Sequence, residues 1–201
     1  MFKIAVLISG NGSNLEALID ACQKNLINGS IDLVISNNPN AFGIERAKNH
    51  SINCKIINHV KFQSREDFDQ ALVDALKVSK PDLVVLAGFM RILTPVMTKA
   101  FKNKIINIHP SLLPKYPGLD THNSVIKNGD LKHGITIHYV NEVLDGGEII
   151  AQGEISLSTN ETLEDLEARI HSIEHVMLPK VVSKFADGTI NTKKIIYEKF
   201  K

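Results

Sequence analysis

The run Asn107-Ile108-His109-Pro110 sets an amide and an imidazole at the end of an apolar stretch, Lys104-Ile105-Ile106, and Asp145-Gly146-Gly147 adds a carboxylate further along. Alternate residues of a strand point to one face, so Asn107 and His109 project together while Ile106 and Ile108 face away. Pro110 has no N–H to give a ladder and ends the pairing. An amide can donate to a carbonyl oxygen, and an imidazolium can donate to the same oxygen as it becomes an oxyanion. A buried carboxylate beside the ring favours its charged form. Asn107, His109 and Asp145 are therefore candidates for chemistry at a carbonyl. Each has a plainer reading: a histidine at a strand end is often structural, and Asp-Gly-Gly is good turn chemistry.

A second constellation is Ser9-Gly10-Asn11-Gly12-Ser13-Asn14, between an apolar run and a helical one. Glycines allow a tight turn, and the helix start behind them offers unpaired N–H groups and a positive dipole end. Gly12, Ser13 and Asn14 could hold a monophosphate. The turn is not a P-loop, since no Gly-Lys-Ser/Thr follows, and Leu15 occupies the third-glycine position of a dinucleotide fingerprint. The alternative is an ordinary glycine turn with Ser13 as cap, Ser13 and Glu16 being in capping-box spacing. Later, His171, Glu174 and His175 share a helix face, where Glu174 reads either as a ligand contact or as a solvated carboxylate. His133 and His138 flank an apolar run. No histidine or cysteine spacing matches a metal site, so no metal is expected.

These residues need a frame. Short runs rich in Val, Ile and Leu, at Lys3–Ile8, Asp32–Ser36, Cys54–Ile57, Asp82–Ala87 and Lys104–Ile108, read as strands covered on both faces. Between them lie helix patterns at Leu15–Lys24, Gly43–Asn49 and Ser64–Ser79, with Thr94-Pro95 as a further helix start. Strand–helix alternation predicts a right-handed parallel α/β sheet over roughly the first 110 residues. His133–Val140 and Glu148–Leu157 then read as an antiparallel pair joined by the Asp145 turn. Leu163 to about Ala186 carries an apolar stripe at helical spacing and ends at Asp187-Gly188.

Composition narrows the function classes. With 201 residues the chain fits one domain. Lys plus Arg number 23 and Asp plus Glu 22, so there is no footprint for nucleic acid or an anionic membrane. The basic cluster Lys193-Lys194 and Lys199–Lys201 reads as a solvated tail. Cys22 and Cys54 form neither a metal pattern nor a disulfide framework, as in a reducing cytosol. The N-terminal apolar run passes straight into the glycine turn, as a first strand does and a signal peptide does not, and no run is long enough to span a membrane.

With these motifs in view, the chain resembles the folate-dependent phosphoribosylglycinamide formyltransferases. The resemblance is carried by Ile8–Leu15, Leu86-Ala87-Gly88-Phe89-Met90-Arg91-Ile92-Leu93, Asn107–Gly118 and Leu144–Gly147. It implies a single-domain Rossmann-like α/β fold: a mostly parallel sheet with flanking helices, an antiparallel C-terminal β addition and a long C-terminal helix. Residues 1–201 would form one domain, with 1–110 as the nucleotide-binding half, 111–190 as the folate-binding and catalytic elaboration, and 191–201 as a tail. It implies formyl transfer from 10-formyltetrahydrofolate, a co-substrate and not a resident cofactor, to glycinamide ribonucleotide, in a cytoplasmic monomer or homodimer.

By the same resemblance Asn107, His109 and Asp145 are catalytic. Gly12, Ser13, Asn14 and Glu174 bind the ribonucleotide. So does His171, which stands where the family usually has glutamine. Arg65, Met90, Arg91, Ile92, Leu93, Asn141, Glu142, Val143 and Leu144 line the folate pocket. Alternatives are a formyltetrahydrofolate hydrolase or another formyl-folate enzyme, and a non-catalytic folate- or nucleotide-binding module. The hydrolases usually carry an extra N-terminal domain and the methionyl-tRNA enzyme a C-terminal one. The chain is expected to have neither.

Overall fold

The computed structural model describes residues 1–158, 160–191 and 194–201. In chain order the elements are β1 (Phe2–Ile8), α1 (Ser13–Gln23), β2 (Gly29–Ser36), α2 (Gly43–Asn49), β3 (Cys54–Ile56), α3 (Arg65–Ser79), β4 (Leu83–Leu86), α4 (Pro95–Ala100), β5 (Ile105–His109), α5 (Thr121–Lys127), β6 (Lys132–Tyr139), β7 (Ile149–Ser156), α6 (Leu163–Ala186) and β8 (Ile196–Phe200). The strands form one sheet in the order β3-β2-β1-β4-β5-β6-β7-β8. β1 to β5 are parallel, β6 runs antiparallel to both β5 and β7, and β8 is parallel to β7.

Strand β1 shows why the N-terminal half lacks alternation. Ile4 to Ile8 are all fully buried, because Ile4, Val6 and Ile8 pack into one core layer and Ala5 and Leu7 into the other. The first layer includes α1, α2 and α6 and extends under β6 and β7, while the second is built on α3 and α4 and reaches only as far as β5. Ile106 and Ile108 face the first layer. Asn107 and His109 therefore face the side that α3 and α4 leave uncovered, as strand parity requires.

Caps explain several starts. Ser64 accepts from the N–H of Asp67, Thr94 from Val96 ahead of Pro95, and Thr162 from Asp165. At α1 the expected capping box does not form. Gly12, left-handed at φ 75°, occupies the cap without any side-chain bond. Glu16 turns instead to Arg46 and His50, at 3.2 and 2.9 Å. Two elements were not expected. α5 is a short helix entered from left-handed Asp120. Ile196–Phe200, read as part of a tail, pairs along β7 as β8, although the side chains of Lys199 and Lys201 stay exposed. Lys193 of the basic cluster lies outside the described residues.

β6 and β7 approach closely at their glycines. A Cβ on Gly134 would stand 1.9 Å from the carbonyl oxygen of Gly153. Gly134→Ala should therefore cost on the order of 2–3 kcal/mol through forced strand displacement. Urea denaturation checks this, and an unchanged midpoint would show that the ladder accommodates the methyl.

Candidate active site

β5 ends on His109, and β6 lies against it so that Asn107 faces His138 and His109 faces Thr136. The four side chains thus share the uncovered face of the sheet. His109 is 5% exposed. Its Nε2–H donates to the Tyr116 carbonyl at 2.8 Å, while Nδ1 lies 3.5 Å from Asp145 Oδ2. A carbonyl only accepts, so the nitrogen facing it carries a proton, and Nδ1 is the one left for chemistry. By the same reasoning His138 donates Nδ1–H to the Tyr139 carbonyl at 2.8 Å. Its Nε2 then meets the Asn107 amide nitrogen at 3.2 Å and lies 3.6 Å from Asp145 Oδ1.

Asp145 sits where the β6–β7 connection turns back over the end of β5. Its backbone is left-handed, at φ 49°. Gly147 behind it has no alternative, since a Cβ there would fall 1.6 Å from the Tyr139 carbonyl oxygen. The carboxylate accepts the Gly118 N–H at 2.8 Å, and the Asn107 amide nitrogen is 3.5 Å from its other oxygen. Burial pushes the Asp145 carboxyl up. The nearby His138 ring, the Gly118 N–H and the His109 ring outweigh it and hold the group below the ordinary carboxylate value. Three nitrogens therefore stand around one ionised carboxylate at 3.5–3.6 Å, too long for full hydrogen bonds.

The same cleft, about 740 Å³, is lined by all the residues read as folate-binding: Arg65, Met90 to Leu93 and Asn141 to Leu144. Arg65 Nη2 donates to the Ile92 carbonyl at 2.8 Å, and the Met90 N–H is held by the Ser9 hydroxyl at 2.7 Å. Asn141 accepts from the Val143 N–H and donates to the Gly146 carbonyl, folding the opposite loop on itself. Met90, Ile92, Val143 and Leu144 are all about half exposed or more, leaving an apolar rim.

The phosphate candidates lie outside that lining, beside the start of α1. Gly12 is forced by close packing, since a Cβ there would stand 2.7 Å from Gly43. Asn14 is 8% exposed, donates to Glu174 at 2.9 Å, and leaves Oδ1 without a partner. Burial raises the Glu174 carboxyl, against the Asn14 hydrogen bond and the His171 charge. That overturns the solvated reading of Glu174. His171 is exposed and stacks parallel to His175 at 6.3 Å.

Sequence reasoning undervalued three features. His138 belongs with Asn107, and the β5–β6 register is what reveals it. The backbone of Tyr116 and Gly118 carries no side-chain signal at all. His122 and His133 share a 2.9 Å contact; burial lowers both, and the neighbouring His122 helps to push His133 down to about 4. Among the described residues no cluster of three or more His, Cys, Asp or Glu is arranged to hold a metal. No described helix is long and apolar enough to cross a membrane.

Comparison with known proteins places this geometry. The family model described as formyl transferase matches residues 2–182. The phosphoribosylglycinamide formyltransferase of Escherichia coli (strain K12) is 47% identical over 188 residues, covering 94% of this chain and 89% of that protein. The trifunctional purine biosynthetic protein adenosine-3 of Homo sapiens is 38% identical over 94% of this chain, which spans 19% of that longer protein. The crystal structure of glycinamide ribonucleotide transformylase 1 from Symbiobacterium toebii matches with a TM-score of 0.91 at 40% identity, covering 94% of this chain and 89% of that one.

Glu174 provides a test by linkage. A carboxyl raised on folding binds its proton more tightly in the native state. Its contribution is therefore intact below the unfolded value and is lost as pH rises through the folded one. Glu174→Gln, which keeps an acceptor for Asn14, should raise the thermal midpoint near pH 7.5, and the gain should shrink as pH falls toward about 4.5. Thermal denaturation at several pH values checks it, and a gain independent of pH would contradict the burial effect.

Proposed function

Because the chain belongs to the formyl transferase family, and within it to the phosphoribosylglycinamide formyltransferases, we propose that its cleft works as follows. The protein is an enzyme of purine biosynthesis that transfers the formyl group of 10-formyltetrahydrofolate to glycinamide ribonucleotide. The formyl folate is a co-substrate, and no permanent cofactor takes part. The observation that carries the assignment of roles is the convergence of Asn107, His109 and Asp145 in the cleft that also holds the apolar folate wall.

The pterin end of the folate lies between Met90–Leu93 and the loop Asn141–Leu144, with Arg65 at the rim. The ribonucleotide phosphate takes the N–H groups at Gly12, Ser13 and Asn14, where α1 lacks a side-chain cap. Glu174 meets the ribonucleotide further along, and His171 flanks it. The formyl oxygen then sits between Asn107 Nδ2 and His109 Nδ1. Attack of the substrate amine on the formyl carbon places negative charge on that oxygen. Both donors strengthen as the charge develops, which is where stabilisation lowers a barrier. Asp145, kept ionised, holds the proton on His109. It also accepts a proton from the attacking nitrogen through a water, and an equivalent proton reaches the departing folate nitrogen as the intermediate collapses. Asn107 is itself aligned by His138.

The cleft draws on both halves of the one domain we assign to residues 1–201. Arg65 and Met90–Leu93 come from residues 1–110, and Asn141–Leu144 and the carboxylate of Asp145 from residues 111–190. The partners are small molecules, and a cytoplasmic monomer or homodimer suits such an enzyme. Purified protein should form formylglycinamide ribonucleotide only when both substrates are present, and formate release from formyl folate alone would favour a hydrolase. His109→Ala should lower turnover by on the order of 10²-fold or more, and near wild-type activity would remove its assigned role. Asp145→Asn should lower turnover and change the shape of the pH–rate profile. A profile of unchanged shape would show that Asp145 does not set the charge of His109.

A further inference from the structure

Asp69 is 1% exposed, lies on α3, and is untouched by the chemistry above. Its Oδ2 accepts the Thr94 N–H at 2.5 Å. The Thr94 hydroxyl accepts the Val96 N–H at the start of α4. One helical turn earlier, Arg65 holds the Ile92 carbonyl. Between them Phe68 stacks on Phe89, with ring centroids 6.4 Å apart and planes at 14°. One face of α3 thus holds the C-terminal end of the segment Phe89–Thr94 by a donor on the Ile92 carbonyl and an acceptor on the Thr94 N–H, and its start by the Phe68–Phe89 stack. A carboxylate inside a protein is costly unless hydrogen-bonded. Burial raises Asp69, and its hydrogen bonding to Thr94 and the charge of Arg65 oppose that rise. An apolar residue would pack here at lower cost, but it could not hold a backbone N–H in register.

We propose that Asp69 is a positioning residue for formyl-folate binding: through Thr94 it fixes the Met90–Leu93 wall at the width the pterin needs. The inference rests on the reading of that wall as the folate pocket. Asp69 touches neither substrate, and the Gly12–Asn14 turn is held by other groups. Its loss should therefore appear in the affinity for one substrate only.

Steady-state kinetics with each substrate varied tests this. Asp69→Ala should raise KM for 10-formyltetrahydrofolate about tenfold or more, as loss of a hydrogen bond to a charged group does. KM for glycinamide ribonucleotide should stay within about twofold. Asp69→Asn, which keeps an acceptor for the Thr94 N–H, should raise the folate KM by about threefold, and it carries the test should the alanine variant not fold. Leu76→Ala, a fully buried change further along α3, should lower the melting temperature and leave both KM values alone. An unchanged folate KM in Asp69→Asn or Asp69→Ala, or an equal rise in Leu76→Ala, overturns the inference. Ile92→Asp separates the two readings. If it raises the folate KM while the Asp69 variants do not, the wall stands and the role of Asp69 falls. If it leaves that KM unchanged, the pocket assignment falls and the inference with it.

Discussion

The site depends on one buried carboxylate. At 8% side-chain exposure Asp145 could not stay ionised without polar partners, and the fold supplies the Gly118 N–H, His138 and His109. Those partners come from the loop after β5, from β6 and from the end of β5 itself. Bringing them to one point requires β6 to reverse direction against β5 and the Asp145 turn to fold back over the junction. The antiparallel addition is therefore what brings Asn107, His109, His138 and Asp145 together.

The cleft exists because the two core layers differ in reach. The layer with α6 continues under β6 and β7, while the layer with α3 and α4 stops at β5. Where the second layer stops, polar residues occupy strand positions that helices would otherwise cover. The parallel half supplies helix N-termini and tight turns, and the step in coverage supplies a concave wall beside them. A ligand bridging the two meets backbone donors on one side and an apolar rim on the other.

Much of this was legible in the chain. The near-continuous apolar runs predict doubly covered strands, and Ser64 and Thr94 stand as caps where their spacing places them. Asn107 and His109 follow from strand parity alone. The failures have physical causes. Ser13 and Glu16 match a capping box, but Arg46 and His50, distant in sequence, claim Glu16. β8 lies at a sheet edge and alternates between half-buried and exposed, so its pattern is faint. α5 has too few residues for a periodic signal. His138 needed the register of a pairing that no single strand encodes. Asp69 reads as one more polar residue on an amphipathic helix, and only the packing of α3 against the start of α4 reveals that it is buried.

The segment after β5 holds His109 and Asp145 by opposite polarities. Its Tyr116 carbonyl accepts a hydrogen bond from His109 Nε2–H, and its Gly118 N–H donates one to Asp145. Tyr116 and Gly118 are both left-handed, with one residue between them. Adding or removing a residue here would turn one of these peptide groups away from its partner. The length of this stretch is thus fixed by the distance between an acid and a base. Surface loops ordinarily tolerate insertion, but this one should evolve as rigidly as the strand it follows.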